Sequence, residues 1–304
     1  MPGLVSTHAP ISGTWTFFEG AWREGNVAIM GPRTHGAWLG STVFDGARAF
    51  DGVAPDLLAH CQRVNLSAER FLLKPVVPVE TWMDLALEGV ERFAPGAQLY
   101  IRPMYWADNG IGGAVRFDPE STRWCLCLYE APLPVPKGSA ITLSPFRRPT
   151  LDCAPIDAKA ACLYPNGARA LIEAHGRGFD NCLLRDALGN IAELANANVM
   201  LVKDGVVRTP IPNGSFLDGI TRRRVIGLLR DDGREVVEET LSHADFLAAD
   251  EIFSCGNFAK VAPITRIEDR CLPVGPLATR ARALYWEFAH AQGALPARRR
   301  RATG

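Results

Sequence analysis

The 304-residue sequence predicts a mixed α+β and α/β protein of two domains, a small α+β one at the N-terminus and a larger one after it. Three observations carry this reading. Short β-prone runs alternate with amphipathic helical segments along the whole chain. A proline-rich stretch, Ala131-Pro132-Leu133-Pro134-Val135-Pro136-Lys137-Gly138, interrupts the alternation near the middle. The hydrophobic share of 47% is enough, at this length, to bury one very large core or two ordinary ones.

In the first part, Thr14-Trp15-Thr16-Phe17-Phe18 alternates as a half-buried strand, Glu19-Gly20 turns, and a second strand is expected over 26–30. Residues 41–50 read as a strand broken at Asp45-Gly46, and Asp51-Gly52 is a hairpin-type turn. Leu57, Leu58, Cys61, Val64, Ala68 and Phe71 recur at helical spacing, which predicts a helix over 56–74 with Asp56 as its N-cap. A second helix is predicted over 79–93, through Trp82, Leu85, Leu87 and Val90, and then strands over 99–106 and 123–129. Prolines 132, 134 and 136 fix φ and remove backbone donors, so the stretch reads as a semi-rigid linker. This divides the chain into residues 1–130, a linker at 131–138, and residues 139–304.

The second part alternates more regularly. Strands are expected over 140–144, 181–185, 199–203, 206–208, 235–239 and 251–254, and helices over 166–176, 221–230, 243–248 and 277–292. Asp186–Asn190 and Asp204-Gly205 supply turns. Internal repeats are absent, and the tail Arg298-Arg299-Arg300-Arg301 reads as a solvated, frayed end.

Composition removes several function classes. Basic and acidic residues number 33 each, which argues against an electrostatic nucleic-acid binder. No run approaches the roughly 18–20 apolar residues of a membrane span, and the N-terminus lacks the pattern of a signal peptide. A cytoplasmic globular protein is expected. Eight cysteines, at 61, 125, 127, 153, 162, 182, 255 and 271, contain no Cys-x-x-Cys pair, and six histidines stand far apart, so no metal site is expected. Walker A, His-Glu-x-x-His and Gly-x-Ser-x-Gly motifs are missing, and Gly110-Ile111-Gly112-Gly113 lacks the third glycine of a dinucleotide loop.

Only five of the 33 basic residues are lysines: Lys74, Lys137, Lys159, Lys203 and Lys260. Lys159 lies among small side chains in Ile156-Asp157-Ala158-Lys159-Ala160-Ala161-Cys162. Burial there would lower its pKa and suit a Schiff-base amine; a snorkelling lysine with its head in water fits the same composition. Asp218-Gly219-Ile220-Thr221-Arg222 opens a helix whose free amides could bind an anion, or is an ordinary N-cap. Ser254-Cys255-Gly256-Asn257-Phe258 is a second glycine-containing turn after a short strand. A lysine with two candidate phosphate cradles is a pyridoxal phosphate (PLP) pattern.

Read in order, these segments resemble the class IV (fold type IV) PLP aminotransferases, the branched-chain amino acid aminotransferases in particular, over about residues 15–290. Gly40-Ser41-Thr42-Val43-Phe44-Asp45-Gly46-Ala47-Arg48 is similar to the family's Gly-Thr-Ser-Val-Phe-Glu-Gly-x-Arg, and Tyr100-Ile101-Arg102-Pro103 to its Tyr-Ile-Arg-Pro. The resemblance implies a two-domain fold whose larger domain holds a barrel-like sheet. It implies Lys159 as the Schiff-base lysine, Tyr164 at the ring phenolate oxygen and Glu193 at the pyridine nitrogen. Arg63, Ile220, Thr221 and Asn257 would grip the phosphate. The substrate pocket falls to Phe44, Tyr100, Arg102, Leu39 and Phe258. Two of these depart from the family: Leu39 replaces an aromatic, and Phe258 replaces a small residue. The implied reaction is transamination between a branched-chain or other apolar L-amino acid and 2-oxoglutarate, in a homodimer. Rivals on the same fold are an (R)-amine or D-amino acid transaminase and an aminodeoxychorismate lyase; a cofactor-free binding protein is a fourth reading.

Overall fold

The structure, a computed structural model, describes residues 12–112 and 115–292. The Arg298–Arg301 tail, the N-terminal eleven residues and Gly113 lie outside the described residues.

The chain opens with β1 (Thr14–Phe18) and β2 (Ala21–Glu24). The second strand was expected five residues later. Glu19 and Gly20 both take positive φ, 51° and 76°. That two-residue turn matches the twist of a hairpin and returns the chain at once. A short helix α1 (His35–Trp38) follows, then β3 (Thr42–Phe44) and β4 (Ala47–Ala49), with the break at Asp45-Gly46 where the sequence placed it. Next come α2 (Leu57–Arg70), α3 (Val79–Val90), β5 (Leu99–Ala107) and β6 (Thr122–Glu130). The strands form one antiparallel sheet in the order β2-β1-β6-β5-β3, with β4 pairing to β5. Leu57, Cys61, Val64 and Ala68 of α2 and Trp82 and Ala86 of α3 pack on Ile101, Leu126 and Leu128. Trp82 is 1% exposed, and burying a side chain of that size supplies about 3 kcal/mol. Its Nε1 donates to Asn65 Oδ1 at 3.0 Å, tying α3 to α2. Asp56 does not cap α2. It sits at φ 59°, and its carboxylate is turned away to accept from Arg224 Nη2 at 2.6 Å.

Residues 131–139 carry no helix or strand. Beyond them run β7 (Ala140–Arg147), α4 (Tyr164–Gly176), β8 (Asn181–Arg185), β9 (Ile191–Leu194), β10 (Asn198–Lys203), β11 (Val206–Pro210), α5 (Ile220–Asp231), β12 (Val236–Glu239), α6 (His243–Leu247), β13 (Glu251–Gly256), β14 (Lys260–Ile264), β15 (Arg266–Ile267), β16 (Arg270–Cys271) and α7 (Pro276–Ala291). Two five-stranded sheets result, β12-β11-β10-β13-β14 and β16-β15-β7-β8-β9. They share a core of Ile141, Leu183, Leu194, Leu201, Phe246, Ile252 and Ile264. The expected barrel-like sheet is therefore a facing pair. Among the described residues no ladder joins β9 to β10, because the three residues between them, Ala195-Asn196-Ala197, line a cleft instead. Helices α5 and α7 cover the first of these sheets through Val225, Leu229, Ala281 and Tyr285, and α4 packs on the second through Ala170 and Ala174. Among the described residues no helix is long and apolar enough to cross a membrane, and no group of His, Cys, Asp and Glu is placed to hold a metal ion.

Candidate active site

The cleft encloses about 820 Å³, its open mouth included, and collects residues from α2, β5, β9, the start of α5 and the end of β13. Lys159 stands on its wall. Its backbone is pinned from both sides: the Phe44 N–H donates to its carbonyl at 3.1 Å, and its own N–H donates to Ser67 Oγ at 3.1 Å. Ala158 and Ala160, at 1% and 0% exposure, fill the space beside it, so only the side chain is free to project. Nζ donates to Tyr164 Oη at 2.7 Å and lies 5.1 Å from the centre of the Phe44 ring. Burial pulls the ammonium pKa down as the sequence suggested, but Tyr164, with help from Tyr100 and Asp45, outweighs it and leaves the pKa above the ordinary lysine value. Of the two readings that the alanine-rich context leaves open, the depressed pKa is not what this arrangement produces, because composition does not show the phenol that Nζ meets.

Glu193 enters from β9. Its Oε1 lies 3.1 Å from Arg148 Nε, and Asn198 Nδ2 donates to Oε2 at 3.5 Å. Burial pushes its carboxyl up to about 7, with Arg148 and Lys159 opposing the rise. A carboxyl so poised readily holds a proton or stabilises a neighbouring cation.

At the other end, α5 begins at Gly219, and the Arg223 N–H closes its first turn on the Gly219 carbonyl at 2.9 Å. The N–H groups of Ile220 and Thr221 precede that bond and have no acceptor inside the helix. A Cβ on Gly219 would collide with Asn198 Oδ1, so the approach requires glycine. Asn257 Oδ1 accepts from Lys260 Nζ at 2.6 Å, while Asn257 Nδ2 is buried without a partner. Arg63, 13% exposed, completes this end, but Asp45 engages its fork: Nε donates to Oδ2 at 2.6 Å and Nη2 to Oδ1 at 2.9 Å. His60 Nδ1 lies 2.7 Å from the same carboxylate. Although burial works against ionisation, Arg63 and His60 hold the Asp45 carboxyl well below the usual range. An orphaned buried amide donor, free helix-terminal N–H groups and a guanidinium fit a phosphate group.

Of the expected residues, Arg63, Tyr100, Lys159, Tyr164, Glu193, Ile220, Thr221 and Asn257 meet on the cleft wall. Phe44 stands behind it against Lys159 and Tyr164. Tyr100 and Arg102 share a face of β5, with the guanidinium 5.3 Å from the Tyr100 ring centre. Arg102 is also a layer behind: Nη2 donates to Tyr129 Oη and Nε is buried without a partner. Leu39 and Phe258 lie outside the wall, 39% and 60% exposed. Leu39 follows the short helix α1 and Phe258 lies in the loop of the β13–β14 hairpin.

Sequence reasoning missed Arg148, Arg48, Asp45, His60 and Lys260. Asp45 was read as a strand break within the motif over 40–48 and given no role in the site, and Arg148, just past β7, offers no local signal. Arg48 is fully buried; Nη1 donates to the Ala131 carbonyl at 2.5 Å, while Nε and Nη2 are unpartnered. Its guanidinium lies 4.9 Å from the Phe258 ring centre and 5.8 Å from that of Tyr100.

Comparison with known proteins gives a consistent picture. The family model described as amino-transferase class IV matches residues 42–267. The chain is 35% identical, over 84% of its own length and 88% of the relative's, to a putative branched-chain-amino-acid aminotransferase of Methanocaldococcus jannaschii. An aminotransferase from Brucella abortus, solved bound to the cofactor PLP, superposes with a TM-score of 0.90 at 52% identity, covering 91% of this chain and 99% of that one. A branched-chain aminotransferase from Thermoproteus uzoniensis, solved with norvaline, gives a TM-score of 0.84 at 26% identity over 91% and 95%.

Proposed function

The chain belongs to the class IV aminotransferases, PLP enzymes of fold type IV, and from that premise we propose that it moves an amino group from a branched-chain or other apolar L-amino acid to 2-oxoglutarate. The observation that carries the reading is the cleft itself. A lysine amine on a tyrosine hydroxyl, a buried carboxyl and an unpartnered amide donor beside the start of a helix converge there.

Bound PLP supplies an electron-withdrawing ring in conjugation with the substrate nitrogen. The protein's own residues do the rest. Lys159 would hold the cofactor and, once released, would serve as the base that takes the proton from the substrate Cα. Tyr164, hydrogen-bonded to Nζ, orients that amine and donates to the ring phenolate oxygen. Glu193 would face the ring nitrogen and keep it protonated, and Arg148, 3.1 Å away, fixes that carboxylate. The amides of Ile220 and Thr221, Asn257 Nδ2 and the Arg63 guanidinium bind phosphate. Tyr100 and Arg102 orient the donor carboxylate, and Arg48 beside them offers a further cation suited to a dicarboxylate acceptor. Phe44 excludes water beside the amine. Residues 131–138 would link a domain over 1–130 to one over 139–304, and a cytoplasmic homodimer is the expected assembly. The norvaline-bound relative supports an apolar donor.

The test combines a variant with a substrate panel. Lys159→Ala should abolish both the visible absorption of lysine-bound cofactor and turnover. A borohydride-reducible adduct persisting in that variant would refute the choice of lysine. A donor panel with chiral product analysis should rank L-leucine and its relatives first. Preference for (R)-1-phenylethylamine over every L-amino acid would put the amine transaminase in its place.

A further inference from the structure

Lys260 has no part in the mechanism above and is the least expected lysine in the molecule. It is fully buried, and its backbone takes φ 61°. It pairs with Gly256 across the three-residue loop Asn257-Phe258-Ala259 at the β13–β14 hairpin. A positive φ of this size is the left-handed region, where glycine is favoured. A lysine there carries both a backbone strain of about 1 kcal/mol or more and the desolvation of an ammonium. Glycine would avoid both costs, so the side chain itself has a use.

That use is visible in what Nζ touches. It donates to Asn257 Oδ1 at 2.6 Å, which fixes the amide with Nδ2 on the opposite side, buried, unpartnered and part of the cleft wall. We propose that Lys260 is a positioning residue for the cofactor phosphate: its buried side chain locks the Asn257 amide with Nδ2 turned to the anion and stands as a cation directly behind it. The inference rests on the PLP reading above. The groups that face Lys260 are Asp56 ahead of α2, His60 on α2, Arg48 on β4 and the Tyr285 ring on α7, 5.4 Å from Nζ. Asp56 Oδ1 is engaged by Arg224 and Oδ2 has no partner, and Nζ makes its hydrogen bond to the Asn257 amide instead. Burial, reinforced by Arg48 and opposed by Asp56, lowers the ammonium to about 7, and a phosphate dianion one amide away would favour its charged form.

The measurement is affinity for PLP and for pyridoxal, which lacks the phosphate, on cofactor-stripped wild type, Lys260→Met and Lys260→Gly. Lys260→Gly keeps the hairpin backbone at ease should the methionine variant fold poorly. PLP affinity should fall about tenfold or more in both variants, with pyridoxal affinity unchanged within about twofold. In an Asn257→Ala background, Lys260→Met should cost markedly less, since the two act as one unit. Equal weakening of PLP and pyridoxal would show a merely structural lysine and overturn the assignment, as would unaltered PLP binding. A wild-type protein that does not prefer PLP to pyridoxal would overturn the phosphate site itself, and the PLP reading with it.

Discussion

Replacing Glu193 by Gln separates the cost of this carboxyl from its proposed use. In the folded chain burial holds the group at about 7 against an ordinary 4.5. The gap of about 2.5 units, at 1.36 kcal/mol each, is about 3 kcal/mol. The sign follows from proton counting. Between pH 4.5 and 7 the folded state binds the proton and the unfolded state has released it, so stability falls as pH rises through that window. The amide of the variant does not titrate. The difference in unfolding free energy between wild type and Glu193→Gln, measured by urea denaturation of the cofactor-free protein from pH 4.5 to 8.5, therefore isolates this one group. It should move by about 3 kcal/mol in favour of the variant as pH rises. A pH-independent difference would refute the perturbed carboxyl. With PLP bound the balance should invert, because a protonated ring nitrogen stabilises the ionised carboxylate. The variant should then lose about a hundredfold or more in Cα proton removal, about 3 kcal/mol of transition-state stabilisation. Near-normal half-reaction rates would sink the assignment of Glu193 to the ring nitrogen.

Two further outcomes are expected. Arg102→Leu should raise the apparent KM for L-leucine and 2-oxoglutarate about tenfold, some 1.4 kcal/mol, and affect 1-phenylethylamine much less; equal effects on both donors would show that the arginine serves only Tyr129. Gly46→Ala puts a methyl group onto the hydroxyl of Tyr100, so it should cost about 1–3 kcal/mol in thermal unfolding and raise KM for the amino-acid donor; unchanged stability and kinetics would show that Tyr100 moves freely.

Most elements were legible because they are local. The apolar spacing through Leu57, Cys61, Val64 and Ala68 marks a helix wherever it packs, and the strand Asn181–Arg185 appears at its expected bounds. What the pattern could not show are elements made by pairing. β14, β15 and β16 are short and hold their place through β13 and β7, and β9 is four residues long. The cap at Asp56 failed for the same reason, since its partner Arg224 is distant in sequence. In the site, eight of the expected residues meet on one wall because motif resemblance carries three-dimensional information that spacing does not. Lys159 shows the limit: its alanine neighbours left a depressed pKa and a snorkelling lysine both open, and against burial the sign is set by Tyr164 together with Tyr100 and Asp45, the latter two distant in sequence.

The distribution of unpartnered donors argues for what the cleft recognises. Leaving a buried donor unsatisfied costs about 1–3 kcal/mol, and while unpartnered donors such as those of Trp22, Trp106 and Arg185 lie elsewhere, several stand in or next to the cleft. Arg48 Nε and Nη2 and Arg102 Nε belong to guanidiniums 5.8 and 5.3 Å from the centre of the Tyr100 ring, a layer behind the wall, and Asn257 stands on the wall with Ile220 and Thr221 at the opening of α5. Glu193 is the buried acid between Arg148 and Lys159. A ligand that offsets these costs carries an anion for the helix end, a proton or positive charge for Glu193, and a carboxylate for the arginines. PLP joined to an amino acid has all three. An amine without a carboxylate leaves Arg48 and Arg102 as they are, which is the physical reason to favour amino-acid over amine transamination on this fold.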